Sequence, residues 1–226
     1  MLWMKAWLET RWRLGVPFAM MLLVLGLNYQ NRASPSIAKN MPFFLAALIW
    51  WACVNAAGSG VKSQAPIGFP EGLAGSTIFT ISLPVSRLRL LTVRAGIGLL
   101  QTSAFTVITV GLAWGLFPAL HRTAAPADVA KFVLAAILFL TGPYFTTVFF
   151  GSFLDDPLSM VAGGWALMLL FWISRHLPAS LNIFRAWWQD SPLITHRLPW
   201  SQMAVSAGLA VVLFWAALRV VETREY

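Results

Sequence analysis

The sequence predicts an all-α integral membrane protein with six transmembrane helices, preceded by an N-terminal amphipathic interfacial helix. Of the 226 residues, 58% are hydrophobic and only 11% are charged, whereas a soluble domain carries about 25% charged residues. Apolar runs long enough to cross a bilayer recur along the chain. The twelve tryptophans cluster near the ends of these runs, which is typical of residues at the two membrane interfaces. We therefore predict a single transmembrane domain over residues 1–226.

The first segment, residues 1–14, has the pattern of a helix lying on the membrane surface. Lys5, Glu9 and Arg13 are four residues apart and share one helical face. Three tryptophans and Leu8 lie mostly on the other face. A secretory signal peptide is the competing interpretation, but the length of the segment and its internal acidic residue disfavour it.

Six apolar runs follow, each bounded by segments that contain polar residues, glycine or proline. The first run is short for a bilayer crossing of about 20 residues, so the preceding helix extends it. Before the fifth run, Asp156 is suited to cap a helix and Pro157 to occupy its first position. The predicted spans are 15–29, 41–58, 90–117, 129–150, 157–175 and 201–221, with loops at 30–40 and 118–128 and a longer connection at 176–200.

Six spans place both termini on the same side of the membrane. The segments on that side hold nine of the sixteen lysines and arginines, including the cluster Arg87, Arg89 and Arg94, so the positive-inside rule favours cytoplasmic termini. The net charge of +8 does not indicate nucleic-acid binding, because the basic residues are scattered as flanks of apolar runs. The membrane is the predicted partner of these flanks.

Residues 75–96 are the one long segment that is neither plainly membrane-spanning nor plainly soluble. A short apolar helix with hydroxyl residues is predicted over 77–83, and Pro84 ends it because proline lacks an N–H group. Ser86 is then placed to cap a new helix, whose first turns carry three arginines. This pattern predicts a short helix at the membrane face, a break, and a span with a basic start. A segment with this arrangement is suited to receive force from a soluble partner and to pass it to the span.

The sequence offers little catalytic chemistry. The segment 58–63 is similar to a phosphate-binding loop, but Val61 stands where the motif requires glycine before the lysine, so we predict no ATP hydrolysis by this chain. The three histidines fall in predicted outer loops without metal-ligand spacing, and the lone Cys53 lies in an apolar run, so no metal site is predicted. Asp155 and Asp156 are adjacent, and helix capping explains Asp156 more simply than catalysis. We predict no catalytic residue.

Uncharged polar residues occur inside the predicted second and third spans. Such groups usually form hydrogen bonds within a helix bundle, and the alternative is that they line a substrate pathway. Charged residues are nearly absent from the spans, so no proton or ion relay is indicated. The candidate pathway residues are Asn55, Gln101, Thr102 and Thr106.

The run Ser82-Leu-Pro-Val-Ser-Arg87, followed by Arg89-Leu-Leu and Arg94-Ala-Gly96, resembles the cytoplasmic segment after the second span of ABC-2 type transporter permeases. The usual form there is close to (T/S)LPVSRxxLLxxRxxxG. The N-terminal KAWLETRWR resembles the connecting, or elbow, helix of that family. Six spans with a longer outer connection before the last also match the layout.

One departure from the family pattern precedes this run. Many members carry a Glu-Arg-Glu-x-Gly-Thr type sequence there, whereas Glu71 is the only charged residue within 69–77. This departure bears on how an ATPase would contact the segment, and not on the resemblance to the family.

The resemblance implies a dimer of permease chains, identical or related, that carries two ATP-binding subunits on the cytoplasmic face. ATP and Mg²⁺ would be bound by those subunits, and this chain would need no cofactor. Residues 75–91 would be the cytoplasmic coupling segment, Asp155 and Asp156 a second cytoplasmic contact, and 176–200 an outer loop with short re-entrant helices. The implied coupling residues are Ser76, Thr77, Ile78, Phe79, Ile81, Leu83, Pro84, Ser86, Arg87 and Arg89.

These expectations combine into one predicted function. The chain would be the permease subunit of an ATP-driven exporter in the bacterial cytoplasmic (inner) membrane, and an uncharged pathway suits an amphipathic or hydrophobic substrate. One alternative is a non-catalytic accessory membrane protein, which predicts no ATPase partner. Another is a multi-span lipid-modifying enzyme, which predicts clustered charged residues at a membrane face, and the sequence has no such cluster with suitable spacing.

Overall fold

The structure, a computed structural model, describes residues 14–57, 86–154 and 156–223, together with Trp7. Almost all of the predicted interfacial helix at 1–14 and the greater part of the predicted coupling segment lie outside these residues. Within the described part of the chain, every regular element is a helix. The helices are α1 (Gly15–Asn28), α2 (Pro35–Ala57), α3 (Arg87–Leu116), α4 (Pro118–Thr123), α5 (Pro126–Gly151), α6 (Asp156–Ser174), α7 (Ile183–Trp188), α8 (Pro192–Thr195) and α9 (Trp200–Thr223), with 3₁₀ turns at Tyr29–Asn31 and Ala179–Leu181.

Four of these helices, namely α2, α3, α5 and α9, are long and apolar enough to cross a membrane. The apolar helices α1 and α6 lie at the first and fifth predicted spans. Helix α1 has 14 residues and is about 21 Å long, which is shorter than a hydrocarbon core of about 30 Å. The described part of the chain is therefore all-helical, with four helices suited to span a membrane.

Two predicted loops are partly helical. Residues 35–40 belong to α2, because Pro35 occupies the first position of the helix, where its missing N–H has no cost. The predicted loop at 118–128 contains α4, which likewise begins with a proline, and the first residues of α5. In both places proline starts a helix, whereas the sequence interpretation took it as a sign of a loop.

Helix α5 is the centre of the bundle and packs against α2, α3, α6 and α9. Its side chains Phe132, Phe139, Leu140 and Tyr144 are almost completely buried. Small residues allow its neighbours to approach closely. A Cβ atom at Gly163 of α6, for example, would lie 2.7 Å from the hydroxyl of an α5 threonine, which is the packing expected between membrane helices.

Helices α3 and α5 are in close contact around Tyr144. Tyr144 Oη donates a hydrogen bond to the carbonyl oxygen of Ala95 at 2.8 Å. A Cβ atom at Gly98 would overlap Tyr144 Oη and would lie 3.1 Å from the carbonyl oxygen of Ala56 in α2. Only glycine fits at position 98 without a shift of its neighbours.

The two ends of the bundle differ. The short helices α4, α7 and α8 lie at one end, which we call the short-helix end, together with the starts of α2, α5 and α9 and the ends of α3 and α6. The other end holds Ser86 and the end of α9, and we call it the Ser86 end. Residues 176–200 contain two short helices, α7 and α8, and one 3₁₀ turn, and their predicted outer, re-entrant placement stays a prediction.

Candidate functional site

The start of α3 is capped as the sequence predicts. Ser86 has extended backbone angles, φ −60° and ψ 140°, and its Oγ accepts a hydrogen bond from the backbone N–H of Arg89 at 3.4 Å. Its carbonyl oxygen accepts from the N–H of Leu90 at 3.0 Å. Because the cap satisfies donors that a helix start leaves without partners, the 30-residue helix has a well-defined first turn.

The arginines of this helix occupy different environments. Arg89 is exposed at the Ser86 end. Arg94, the third arginine of the predicted basic start, is buried, with only 2% of its surface exposed. Burying a guanidinium group costs free energy unless its hydrogen bonds are made inside the protein.

Most of the other residues that the sequence predicts at the cytoplasmic face lie outside the described part of the chain. Those from Ser76 to Pro84 lie outside the described residues, as do Asp155 and the side chains of Arg87 and Asp156. Helix α6 begins at Asp156, one residue before Pro157, where the sequence places the start of the fifth span.

Three of the four candidate pathway residues bond to their own helices. Thr102 Oγ1 donates to the carbonyl oxygen of Gly98, and Thr106 Oγ1 donates to that of Thr102, each at 2.8 Å. Both threonine side chains are completely buried. Asn55 Nδ2 donates to the carbonyl oxygen of Trp51 at 2.8 Å. Each of these groups thus makes a hydrogen bond to the backbone of its own helix.

Gln101 is the exception among the four. It is 4% exposed, and neither its amide oxygen nor its amide nitrogen has a hydrogen-bond partner within the described part of the chain. A buried polar group without a partner costs about 1–3 kcal/mol. On the same helix, Thr109 Oγ1 lies 3.1 Å from the sulfur of Met21 in α1. Thr109 was missed in the sequence interpretation, although it lies three residues after Thr106 on the same polar side.

A charged network joins α5 to the connection between α8 and α9 at the short-helix end. The Asp128 carboxylate lies 2.9 Å from Lys131 Nζ and 2.7 Å from His196 Nδ1. Lys131 Nζ also donates to the carbonyl oxygen of His196 at 2.9 Å. His196 ends α8 in the left-handed region, with φ 58°. The spacing of Asp128 and Lys131 could have indicated their pairing, but nothing in the sequence links them to His196.

A cleft with a volume of about 280 Å³ opens between the end of α6 and the start of α7. Its basic groups are Arg175, whose guanidinium lies 4.8 Å from the ring centroid of Phe171, and Arg185, whose Nε lies 3.1 Å from Asp190 Oδ2. The sequence interpretation did not single out these residues. Phe184 forms part of the floor, against Phe171 at 5.3 Å and Trp50 of α2 at 4.9 Å between ring centroids.

The cleft also contains two amide side chains, those of Asn182 and Gln189. Asn182 Oδ1 caps α7 by accepting from the backbone N–H of Arg185 at 3.0 Å. The amide nitrogen of Asn182 is not used by that bond. The cleft is therefore basic, rich in hydrogen-bond donors, and backed by aromatic rings.

Comparison of the chain with known proteins found no matching protein family, no matching curated protein and no matching solved structure. The residues that the structure describes define the class of an all-helical protein, in which four helices are long and apolar enough to cross a membrane. The described residues contain no group of three or more histidine, cysteine, aspartate or glutamate side chains arranged to hold a metal ion.

Proposed function

We propose that the chain is the transmembrane permease subunit of an ATP-driven ABC exporter in the bacterial cytoplasmic membrane, working with separate ATP-binding subunits. The observation that carries this proposal is the run Ser-Leu-Pro-Val-Ser-Arg87, in which Ser86 caps a 30-residue helix. In the permeases that this run resembles, the segment before the helix receives the motion of the ATPase. A capped helix start is suited to pass that motion on without fraying.

The packing of α3 offers a route from its start to the centre of the bundle. Thirty residues of helix span about 45 Å, so a push at Ser86 would reach well into the membrane. Two to three turns after Ser86, the carbonyl of Ala95 accepts from Tyr144, and Gly98 lies against the same side chain. Movement of α3 would therefore be transmitted to α5, which contacts most of the other long helices.

The proposed complex contains two permease chains, identical or related, and two ATP-binding subunits that supply ATP and Mg²⁺ binding. The Ser86 end would face the cytoplasm, because Arg89 is exposed there at the start of an apolar helix. The substrate would be amphipathic or hydrophobic, since the polar groups inside α3 beyond Arg94 carry no charge.

The proposal is tested by purifying the chain from its native membrane in a mild detergent and identifying the proteins that accompany it. We expect an ATP-binding subunit in equal amount. Replacing both Arg87 and Arg89 by Glu should abolish its recovery while the membrane fold persists. Arg122→Glu is the control, because Arg122 is exposed at the short-helix end, and it should leave recovery unchanged.

Two results would count against the proposal. If the wild-type chain brings no ATP-binding subunit under conditions that keep comparable complexes intact, the chain is an accessory membrane protein. If the Arg87 and Arg89 variant retains the subunit as well as the Arg122 variant does, the contact with the ATPase is not at the start of α3.

A further inference from the structure

The cleft between α6 and α7 lies where an apolar helix meets a polar connection. The apolar part of α6 runs over Val161–Ser174, and the next residue is Arg175. The side chains of Trp172 and Trp200 are exposed at the same end of the bundle. Tryptophan is enriched at the level of the lipid headgroups, so the cleft lies at headgroup level, beside the hydrocarbon region.

The cleft is suited to hold an anion. Two guanidinium groups line it, and no acidic residue does among the described residues around it. Asp190 pairs with Arg185 from the side, which leaves a net charge of +1 over these three groups. Guanidinium groups form paired hydrogen bonds with phosphate oxygens. The guanidinium carbon of Arg175 lies 4.8 Å from the centroid of the Phe171 ring, a cation–π contact that favours this position of the group.

An apolar stripe on α6 leads away from the cleft. Its members are spaced three and four residues apart, so they share one helical face, and each is more than half exposed. From Val161 to Trp172 the stripe extends about 16 Å along the helix, which matches one leaflet, half of a hydrocarbon core of about 30 Å. The stripe consists of Val161, Trp165, Met168, Leu169 and Trp172.

We propose that this surface binds an anionic phospholipid. The phosphate lies between Arg175 and Arg185, the amide groups of Asn182 and Gln189 donate to its oxygens or to the headgroup, and the acyl chains follow the α6 stripe. The cleft has a volume of about 280 Å³, which is roughly nine times the ~30 Å³ that one water molecule occupies in the liquid. A phosphate with its glycerol therefore fits. The inference depends only on the membrane location of the chain, and the permease proposal is not needed for it.

The test is native mass spectrometry of the detergent-purified chain titrated with phosphatidylglycerol or with phosphatidylcholine of the same acyl chains. The wild-type chain should retain phosphatidylglycerol at lower lipid concentrations. Replacing Arg175 and Arg185 by Gln should weaken that binding about tenfold, as expected for lost charge-assisted hydrogen bonds. Binding of phosphatidylcholine should change much less. The control replaces Arg122 and Arg197 by Gln, since both are exposed at the same end, and it should bind as the wild type does.

A second variant keeps the test decisive if the first one folds poorly. Replacing Arg175 and Arg185 by Lys preserves the charge but removes the paired hydrogen bonds, and should lower the affinity for phosphatidylglycerol several-fold. Inorganic phosphate at millimolar concentration should not displace the lipid, because it lacks the chains that contact α6. The proposal is overturned if the Gln and Lys variants both bind phosphatidylglycerol as the control does. It is equally overturned if phosphate displaces the lipid, or if the substitutions change the chain's oligomeric mass and leave its lipid count unaltered.

Discussion

Ser206 of α9 donates a hydrogen bond from its hydroxyl to the carbonyl oxygen of Phe139 in α5, at 3.1 Å. Four residues after Phe139 stands Pro143, which has no N–H group and cannot supply the usual helical hydrogen bond. The same hydroxyl accepts from the backbone N–H of Gly142 at 3.2 Å. Ser206 is completely buried. A side chain of one long apolar helix thus completes the backbone hydrogen bonding of another, at the point where proline interrupts it.

Replacing Ser206 by Ala should destabilise the protein by about 1–3 kcal/mol, because it leaves the Phe139 carbonyl buried without a partner. Reversible unfolding in mixed micelles of increasing SDS content, followed by circular dichroism, measures the change. Ser201→Ala, on the exposed side of the same helix, should change stability by less than about 0.5 kcal/mol. Pro143→Ala restores the missing N–H and should reduce the effect of the Ser206 substitution. Equal losses in the Ser206→Ala and Ser201→Ala variants would show that the bond contributes nothing.

Gly98→Ala should destabilise the junction of α3 and α5 by about 1–3 kcal/mol, because the added Cβ overlaps Tyr144 Oη and presses on the Ala56 carbonyl. Gly96→Ala is the matched control. A Cβ at position 96 has nothing within 4 Å, and alanine favours the helix by up to about 1 kcal/mol. Adding Tyr144→Phe to Gly98→Ala should recover part of the loss in the same unfolding measurement. A Gly98→Ala variant as stable as Gly96→Ala would contradict the close contact.

Asp128→Asn should destabilise the short-helix end, since it weakens two charge-assisted contacts of this carboxylate, to Lys131 and His196. Unfolding of the short-helix end can be followed by hydrogen exchange of α8. Glu222→Gln is the comparison, because that carboxylate pairs with Arg219 at 3.2 Å where both side chains are more than half exposed, and such pairs contribute about 0–1 kcal/mol. Unchanged exchange in α8 for the Asp128 variant would argue that the network does not hold this end.

Gln101→Leu should stabilise the protein by about 1–3 kcal/mol, because it replaces a buried amide without partners by an apolar side chain of similar size. Gln202→Leu should have the opposite effect, since Gln202 Nε2 donates to the carbonyl oxygen of Ala179 at 3.0 Å. Both changes are measured by the same unfolding assay. If the Gln101 substitution destabilises the chain as much as the Gln202 substitution does, the amide of Gln101 makes hydrogen bonds in the membrane.

The features predicted from sequence are those that depend on neighbouring residues. The Ser86 cap and the start of α6 within one residue of Pro157 follow from local backbone chemistry, and the four long apolar helices follow from composition and length. Pro35 was misread because the same residue that interrupts a helix also begins one well. The burial of Arg94 was not foreseen, since an arginine near the start of a span normally remains at the surface.

The candidate sites that sequence reasoning missed bring together distant parts of the chain. Asp128 and His196 are 68 residues apart, and no periodic pattern relates them. Arg175 and Arg185 line the same cleft. The chain segment between them packs against α9 and α2, and this packing sets its turns. Such placements depend on how the helices assemble in three dimensions, which no local pattern records.

The bond between Ser206 and Phe139 also has a consequence for biosynthesis. Because α5 precedes α9 in the chain, α5 is synthesised before α9. Until Ser206 has been synthesised, the carbonyl oxygen of Phe139 in the middle of α5 lacks this hydrogen-bond partner in an environment without water. The backbone hydrogen bonding of α5 is thus completed only after α9, the last of the described helices, has been synthesised. Stalled chains that end before α9 should expose the middle of α5 to intramembrane proteolysis, whereas chains stalled after α9 should resist it.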